Sequence, residues 1–219
     1  MAYSELLPNM IVSFIAVLAS LSVHEAAHAA SADYLGDSTA RHLGRLTLNP
    51  LVHIDLFGTI LLPLMLSLSG MGAFGWAKPV PVNLYNLRHP RRDSAIISAA
   101  GPLSNLLLAL VASILIRLIS TITPVPTGFF AYFMAVLQLL IHINVLLALF
   151  NLIPVPPLDG SGILAYFLPD RHASKYRFLE QYGFVILFAL VFSNILGTVY
   201  LRPIGSVLLT IFSFISGYR

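Results

Sequence analysis

Cysteine is absent from this chain of 219 residues, and charged residues make up only 10% of it. Without cysteine the chain can form no disulfide and can offer no thiolate, so any metal site must use His, Asp or Glu. Soluble proteins carry about 25% charged and about 45–50% apolar residues, whereas 58% of this chain is hydrophobic. The shortage of charge predicts a protein with an apolar outside, which is a protein of the lipid bilayer.

Long runs of basic residues are missing too, because Lys and Arg occur at most as adjacent pairs such as Arg91 and Arg92. Nucleic-acid binding therefore has no electrostatic footprint. No basic segment precedes the first apolar stretch, so we expect a retained helix rather than a cleaved signal peptide. No internal repeat is evident, which leaves the inverted-repeat architecture of many transporters without support.

Apolar stretches long enough to cross a bilayer recur along the chain. We expect an all-α polytopic membrane protein with five or six transmembrane helices in a single membrane-embedded domain, residues 1–219. The predicted core consists of three spans, at about 8–32, 94–118 and 129–152. Two further spans are predicted at about 182–200 and 203–217. Residues 56–77 contain Pro63 and four glycines, which predicts either an extra span or a re-entrant hairpin.

The basic residues are unevenly distributed between the predicted loops. If the first span runs from outside to inside, the cytoplasmic segments 33–93 and 168–181 hold nine Lys and Arg residues, while the outer side holds Arg117 and Arg202. Cytoplasmic loops of membrane proteins are enriched in Lys and Arg. We therefore expect the C-terminal end of the first span, which holds the candidate active site, to lie towards the cytoplasmic side of a bacterial or archaeal cell membrane.

The first span contains the pentad HEAAH, from His24 to His28. On a helix these two histidines stand at i and i+4, so both imidazoles lie on one face and can bind one ion. Glu25 lies about 100° round the helix, where it can take a proton from water without being a ligand. Charged groups inside a span cost about 2.5–3.5 kcal/mol each and indicate function. The alternative is a structural hydrogen-bonded cluster or a proton relay.

A third metal ligand is needed, because a catalytic zinc site takes three protein ligands and leaves one position open for water. Asp159 is the candidate, since it lies in the proline-rich segment NLIPVPPLDG, which begins at Asn151 and breaks the third core span. Broken backbone at membrane depth is found where it lines a cavity. The other interpretation of Asp159 and Gly160 is a turn at the end of a span.

Three motifs in this order resemble the site-2 protease family of intramembrane zinc metalloproteases, in its compact form without a PDZ domain. They are HEAAH in the first span, GPLSN at residues 101–105, and NLIPVPPLDG at residues 151–160. The resemblance implies a three-helix catalytic core, with a re-entrant element between the first two core helices. It also implies that the substrate is a transmembrane segment of another membrane protein, cleaved in regulated intramembrane proteolysis.

By the same resemblance, His24, His28 and Asp159 hold one zinc ion and Glu25 is the catalytic acid and base. Asn151 is implied to lie near the active site, where it helps to position the substrate or the developing oxyanion. The alternative function is a membrane transporter, or a proton or metal relay, that uses the same His, Glu and Asp cluster.

Two further histidines are candidates for a role at the site. His53 in the loop is a candidate for the site or a capping or surface residue. His142 in the third core span is a candidate for an interhelical hydrogen bond or for the metal. The small residues 98–101 predict close helix packing.

Overall fold

The structure is a computed structural model that describes residues 3–68, 75–123 and 127–217. Within these ranges the protein is helical and contains no β-strand, which confirms the all-α prediction. The eight α-helices are α1 Tyr3–Leu35, α2 Thr39–His42, α3 Leu62–Leu68, α4 Pro90–Ile122, α5 Phe129–Asn151, α6 Asp159–Phe167, α7 Asp170–Phe192 and α8 Arg202–Ser216. Short 3₁₀ turns cover Pro50–Val52 and Leu84–Asn86, and π-helical turns cover Leu56–Leu61 and Leu196–Leu201.

Four of the described helices are long and apolar enough to cross a membrane. They are Val12–Leu35, Pro90–Ile122, Phe129–Asn151 and Leu196–Ser216. The first three lie at or close to the predicted core spans, whose position in a membrane stays a prediction. Two shorter apolar helices, Leu56–Leu66 and Leu179–Phe192, are the further segments that a count of five or six would require. A single domain over the whole chain stays a prediction.

Helix α4 is the centre of the bundle and packs against α1, α5, α6 and α8. Its small and apolar residues meet those of α5 and α8 in the largest hydrophobic cluster, which includes Ala109, Ile116, Leu137, Val145 and Phe212. Small side chains on α4 let the neighbouring backbones approach closely, which is the usual way that helices pack in a membrane. Helices α1 and α6 therefore reach the same part of α4, and that part carries the candidate site.

The two described ends of residues 56–77 meet. The first end is a π-helical turn, Leu56–Leu61, followed by α3, and the second end begins after residues 69–74, which lie outside the described part. There the Trp76 backbone N–H donates to the carbonyl of Gly58 over 3.1 Å, and the Thr59 hydroxyl donates to the carbonyl of Trp76 over 2.8 Å. Both limbs of the segment therefore end on one side, as a re-entrant hairpin requires.

The boundaries predicted for the last two spans are wrong. The span expected at 182–200 is interrupted, because α7 ends at Phe192 and Asn194 adopts a φ of 58°. Asparagine is one of the few residues that enter this left-handed region readily, and a residue in that conformation ends a helix. The last span begins at Leu196 and continues to Ser216. Arg202 therefore lies within a helix and not in an outer loop.

Asp37 joins the chain that leaves α1 to the chain that enters α4. Its buried carboxylate accepts hydrogen bonds from the backbone N–H groups of Thr39 and Asn83, at 3.1 and 2.7 Å, and from the side-chain amide of Asn86 at 2.8 Å. Burial raises the pKa of this carboxyl, but the hydrogen bonds to Thr39, Asn86 and Asn83 outweigh it and hold the pKa below the usual 3.8. The ionised side chain therefore ties the two segments together.

Candidate metal centre

Three side chains from two helices converge inside the bundle. His24 and His28 stand one turn apart on α1, and their Nε2 atoms are 3.0 Å from each other. Asp159 begins α6 and directs its carboxylate at both rings. Its Oδ2 lies 3.1 Å from Nε2 of His24, and its Oδ1 lies 3.3 Å from Nε2 of His28. These three residues form a group that could hold one metal ion. The spacing of the sequence predicts the pair of histidines only, and the role of all three residues as metal ligands stays a prediction.

The atoms that face the centre of the group carry lone pairs, which favours a bound cation. Nδ1 of His28 lies 2.7 Å from the carbonyl oxygen of Ile97. A carbonyl only accepts hydrogen bonds, so Nδ1 carries the proton and Nε2 of the neutral ring presents a lone pair. Oδ2 of Asp159 is buried without a hydrogen-bond donor among the described residues. His28 and Asp159 thus turn lone pairs towards the centre of the group, an arrangement that a bound cation stabilises.

The size of the group fits zinc. Zinc binds histidine nitrogen at about 2.0–2.1 Å and carboxylate oxygen at about 2.0–2.2 Å in a tetrahedron, so neighbouring ligand atoms lie roughly 3.3–3.5 Å apart. The three separations in the protein, 3.0, 3.1 and 3.3 Å, are close to that value. Two histidines and one carboxylate are also a ligand set of catalytic zinc sites, in which water takes the fourth position.

Asp159 reaches the histidines because the chain breaks after α5. Prolines 154, 156 and 157 follow the end of α5 and prevent a continuous helix, and α6 starts directly at Asp159. Gly160 allows the return, since a Cβ there would lie 2.2 Å from the carbonyl oxygen of Leu152. The carboxylate therefore enters the site from a new helix. The alternative interpretation, a simple turn at Asp159, does not describe this geometry.

Glu25 lies beside the ligand group without belonging to it. Its side chain is buried, and its Oε2 accepts a hydrogen bond of 2.9 Å from the backbone N–H of Val80. Val80 belongs to the non-helical segment that returns from the hairpin towards α4. This backbone contact holds the carboxylate of the residue that directly follows His24 in the chain, and its role as general base stays a prediction.

Two residues of the GPLSN motif contact the histidines, and neither contact was predicted. Gly101 was interpreted as a packing residue, yet it faces the two imidazoles directly. Asn105 is fully buried, and its Oδ1 lies 2.6 Å from Nδ1 of His24. A signal was present in the sequence, since an amide inside an apolar span needs a partner and stands one helical turn after Gly101.

Other candidate residues are not joined to this group by the hydrogen bonds described. The Asn151 amide donates to the carbonyl of Leu147 over 3.0 Å, and His142 is exposed and pairs with the carbonyl of Gln138 at 2.8 Å, both within α5. The interhelical bond considered for His142 is thus replaced by one within its own helix. His53 is buried and pairs with the carbonyl of Thr47. The roles of Asn151 and His53 at the site stay predictions.

Substituting Gly101 by Ala is expected to weaken zinc binding by at least about tenfold, in the range known for groups that orient metal ligands. A Cβ at this position would lie 2.4 Å from Nε2 of His28 and 2.6 Å from Nε2 of His24, so the rings must move. Competition against a chelator measures the affinity. Gly205→Ala is the matched control, because its Cβ would lie 3.6 Å from Leu149, an ordinary contact. Equal zinc affinities in the two variants would contradict the crowding argument.

Comparison with known proteins supports a protease. The family model described as peptidase family M50 matches residues 118–193. No solved structure shows a significant match.

Two relatives are similar over most of this chain. A protein of Bacillus subtilis, provisionally named zinc metalloprotease YwhC, is 38% identical over 90% of this chain and 86% of its own length. A protein of Mycolicibacterium smegmatis, provisionally named zinc metalloprotease Rip2, is 34% identical over 80% of this chain, which spans 64% of that protein. The chain therefore belongs to peptidase family M50, the site-2 protease family, and is a zinc metalloendopeptidase with apolar helices suited to a lipid bilayer.

Proposed function

We propose that this metalloprotease cleaves the transmembrane segments of other membrane proteins, within the bilayer, through a zinc ion held by His24, His28 and Asp159. The observation that carries the proposal is the depth of the site. His24 lies near the middle of the span Val12–Leu35. At 1.5 Å per residue it is roughly 17 Å from the end of that helix at Leu35. A site at this position along a helix that could cross a membrane supports cleavage within the bilayer.

The side chains divide the chemistry between them. When zinc is bound, the chemistry that it supplies is Lewis-acid activation of water and of the scissile carbonyl. Glu25 takes a proton as the water oxygen attacks the carbonyl carbon, and it gives that proton to the amine nitrogen as the C–N bond breaks. The carboxylate can act at both stages because Val80 holds one oxygen in place. A transporter or relay was the alternative, but the protease family favours the hydrolytic role for Glu25.

The segment around Val80 is suited to guiding an unwound substrate to the base. A helical substrate hides its peptide bonds in its own hydrogen bonds, so it must unwind locally before cleavage. Residues 75–83 are non-helical and pass directly beside Glu25. Backbone groups in such a segment can pair with an extended peptide, as a sheet edge does. Substrate recognition would then depend on unwinding more than on individual side chains.

The proposed orientation places the end of α1 at Leu35 in the cytoplasm. Hydrogen bonds to Asp37 bring the segment after α1 to the segment before α4. Arg91 at the start of α4 donates to the carbonyl of Leu168, just before α7. The basic segments 33–93 and 168–181 therefore contact each other, which supports a common cytoplasmic side under the positive-inside rule. The named relatives come from bacteria, which fits a bacterial cell membrane.

The test uses the purified protein in liposomes with a single-span substrate carrying a soluble tag at each end. We expect mass spectrometry to locate the cut within the transmembrane segment, and chelation followed by zinc addition to stop and then restore it. A matched substrate with Asn-Gly in place of two Leu residues near the middle of the span should be cut faster, because it unwinds more easily. Cleavage confined to the soluble tags would refute intramembrane proteolysis.

A further inference from the structure

Asn144 lies on α5, outside the group of candidate ligands, and its side chain is fully buried. We propose that Asn144 is a positioning residue that fixes the proton of His24 on Nδ1, acting through Asn105, and thereby sets the affinity of the site for zinc. The proposal concerns the metal site of the proposed function, but it does not depend on which substrate is cut or where.

The orientation of the Asn144 amide follows from a backbone carbonyl. One terminal atom of its side chain lies 2.8 Å from the carbonyl oxygen of Leu140. Since that oxygen can only accept, the atom facing it is the Nδ2 donor, which also donates to the Ser20 hydroxyl over 2.9 Å. The remaining atom of Asn144 is therefore Oδ1, an acceptor. It lies 2.7 Å from Asn105.

The orientation of Asn105 follows from Asn144. The atom of Asn105 that meets Oδ1 of Asn144 must be a donor, Nδ2, and the same group donates to the carbonyl of Ser20 over 3.3 Å. The Oδ1 of Asn105 consequently faces His24, 2.6 Å from Nδ1. Nδ1 must carry the proton of the neutral ring. The lone pair is left on Nε2, the atom that points at Asp159 and His28.

Removing the Asn144 acceptor would leave Asn105 with weak orientation. With Asn144 present, a reversed Asn105 would place two amide oxygens about 2.7 Å apart, which is strongly unfavourable in a buried site. Without it, the reversed amide meets only the Ser20 carbonyl at the longer distance of 3.3 Å. The reversed amide donates to Nδ1 of His24 and moves the ring proton to Nε2. A protonated Nε2 cannot bind metal.

If Asn144 only packed the helices together, its loss would have a different effect. Buried amides that link helices in a membrane stabilise their packing modestly, and such a role would change stability without changing the tautomer of a particular imidazole. The chain from Leu140 to His24 crosses from α5 through α4 to α1, and each atom in it has one chemically allowed identity. Tautomer and zinc affinity are therefore the observables that separate positioning from packing.

The experiment measures the His24 tautomer by ¹⁵N NMR of the zinc-free, histidine-labelled protein in detergent at pH 9, and zinc affinity by competition with a chelator. In the unaltered protein we expect the Nδ1–H tautomer, and finding Nε2–H would overturn the proposal without any substitution. Asn144→Leu should shift the ring towards Nε2–H and weaken zinc binding by about 10–100-fold, the usual effect of losing an outer partner of a ligand. If the leucine variant does not fold, Asn144→Ala is measured with the same expectation.

Two controls complete the design. Asn144→Asp keeps an oxygen that accepts from Asn105 in either protonation state, so it should retain the Nδ1–H tautomer. Ser113→Ala removes a fully buried hydroxyl that donates to the carbonyl of Ala109 within α4. It should change zinc affinity by less than about twofold, since it leaves the outer partners of the ligands in place. An unchanged tautomer and affinity in the folded leucine or alanine variant would show that Asn144 only packs the helices. Failure of substrate cleavage with these metal results intact would instead count against intramembrane proteolysis.

Discussion

Glu25→Gln is expected to lower the rate of peptide cleavage by a factor of about 10²–10⁴ while one zinc ion remains bound. Gln has the shape of Glu and keeps an oxygen that can accept from the N–H of Val80, a contact that measures 2.9 Å with Glu25. Its amide cannot take a proton from water or return one to the leaving amine. Zinc content is measured by mass spectrometry of the purified protein, and cleavage is measured on a single-span substrate.

The control for this substitution is Glu180→Gln, which makes the same chemical change on an exposed side chain of α7. It should leave both zinc content and cleavage unchanged. If the Glu25 variant cleaves at the rate of the unaltered protein, Glu25 is not the base. If instead it loses zinc, the residue acts on the metal site, and the separation between ligands and base that the geometry indicates is wrong.

Asp159→Ala is expected to weaken zinc binding by more than about 100-fold, because losing a ligand should exceed the 10–100-fold effect of losing an outer partner. The carboxylate supplies the negative charge of the ligand set and two oxygens that lie 3.1 and 3.3 Å from the histidine nitrogens. Without it, two neutral imidazoles remain. Chelator competition measures the affinity, and cleavage should reappear only at zinc concentrations far above those that saturate the unaltered protein.

Asp33→Ala is the matched control, since Asp33 lies five residues after His28 on α1 and its carboxylate pairs with the exposed Arg41. Ion pairs of this kind contribute little to stability, so zinc affinity should stay within about twofold, because no ligand or outer partner of one is removed. Full zinc occupancy in Asp159→Ala at low zinc concentration would remove this residue from the ligand set. It would also leave the site with two protein ligands, which is fewer than catalytic zinc sites use.

The helical face that carries His24 and His28 was predictable because the relation is local. Residues four apart on any helix lie on one face, and an apolar run of sufficient length guarantees the helix. The three core spans were predictable for the same reason. The ends of the last spans were not, since Asn194 ends a helix through its backbone conformation, and the apolar composition continues through that point without interruption.

The contacts of the two histidines with α4 could not be predicted from the sequence. Asn105 and Gly101 belong to a motif that the sequence displays, but only the approach of α4 to α1 shows that they contact His24 and His28. Asn144 carried no signal beyond being an amide in an apolar span. Its connection to His24 passes through a second residue and a third helix, and no spacing along one chain encodes such a relation.

By itself, the sequence determined that this protein is an all-α membrane protein with a His-Glu-His helix and a broken, acidic segment further along. These properties depend on composition and on neighbours within one or two helical turns. Only the tertiary structure decided that Asp159 meets both histidines, that Trp76 contacts Gly58, and that buried amides orient His24. Those features arise from packing between residues far apart in the chain, where distance and orientation are determined by the whole bundle of helices.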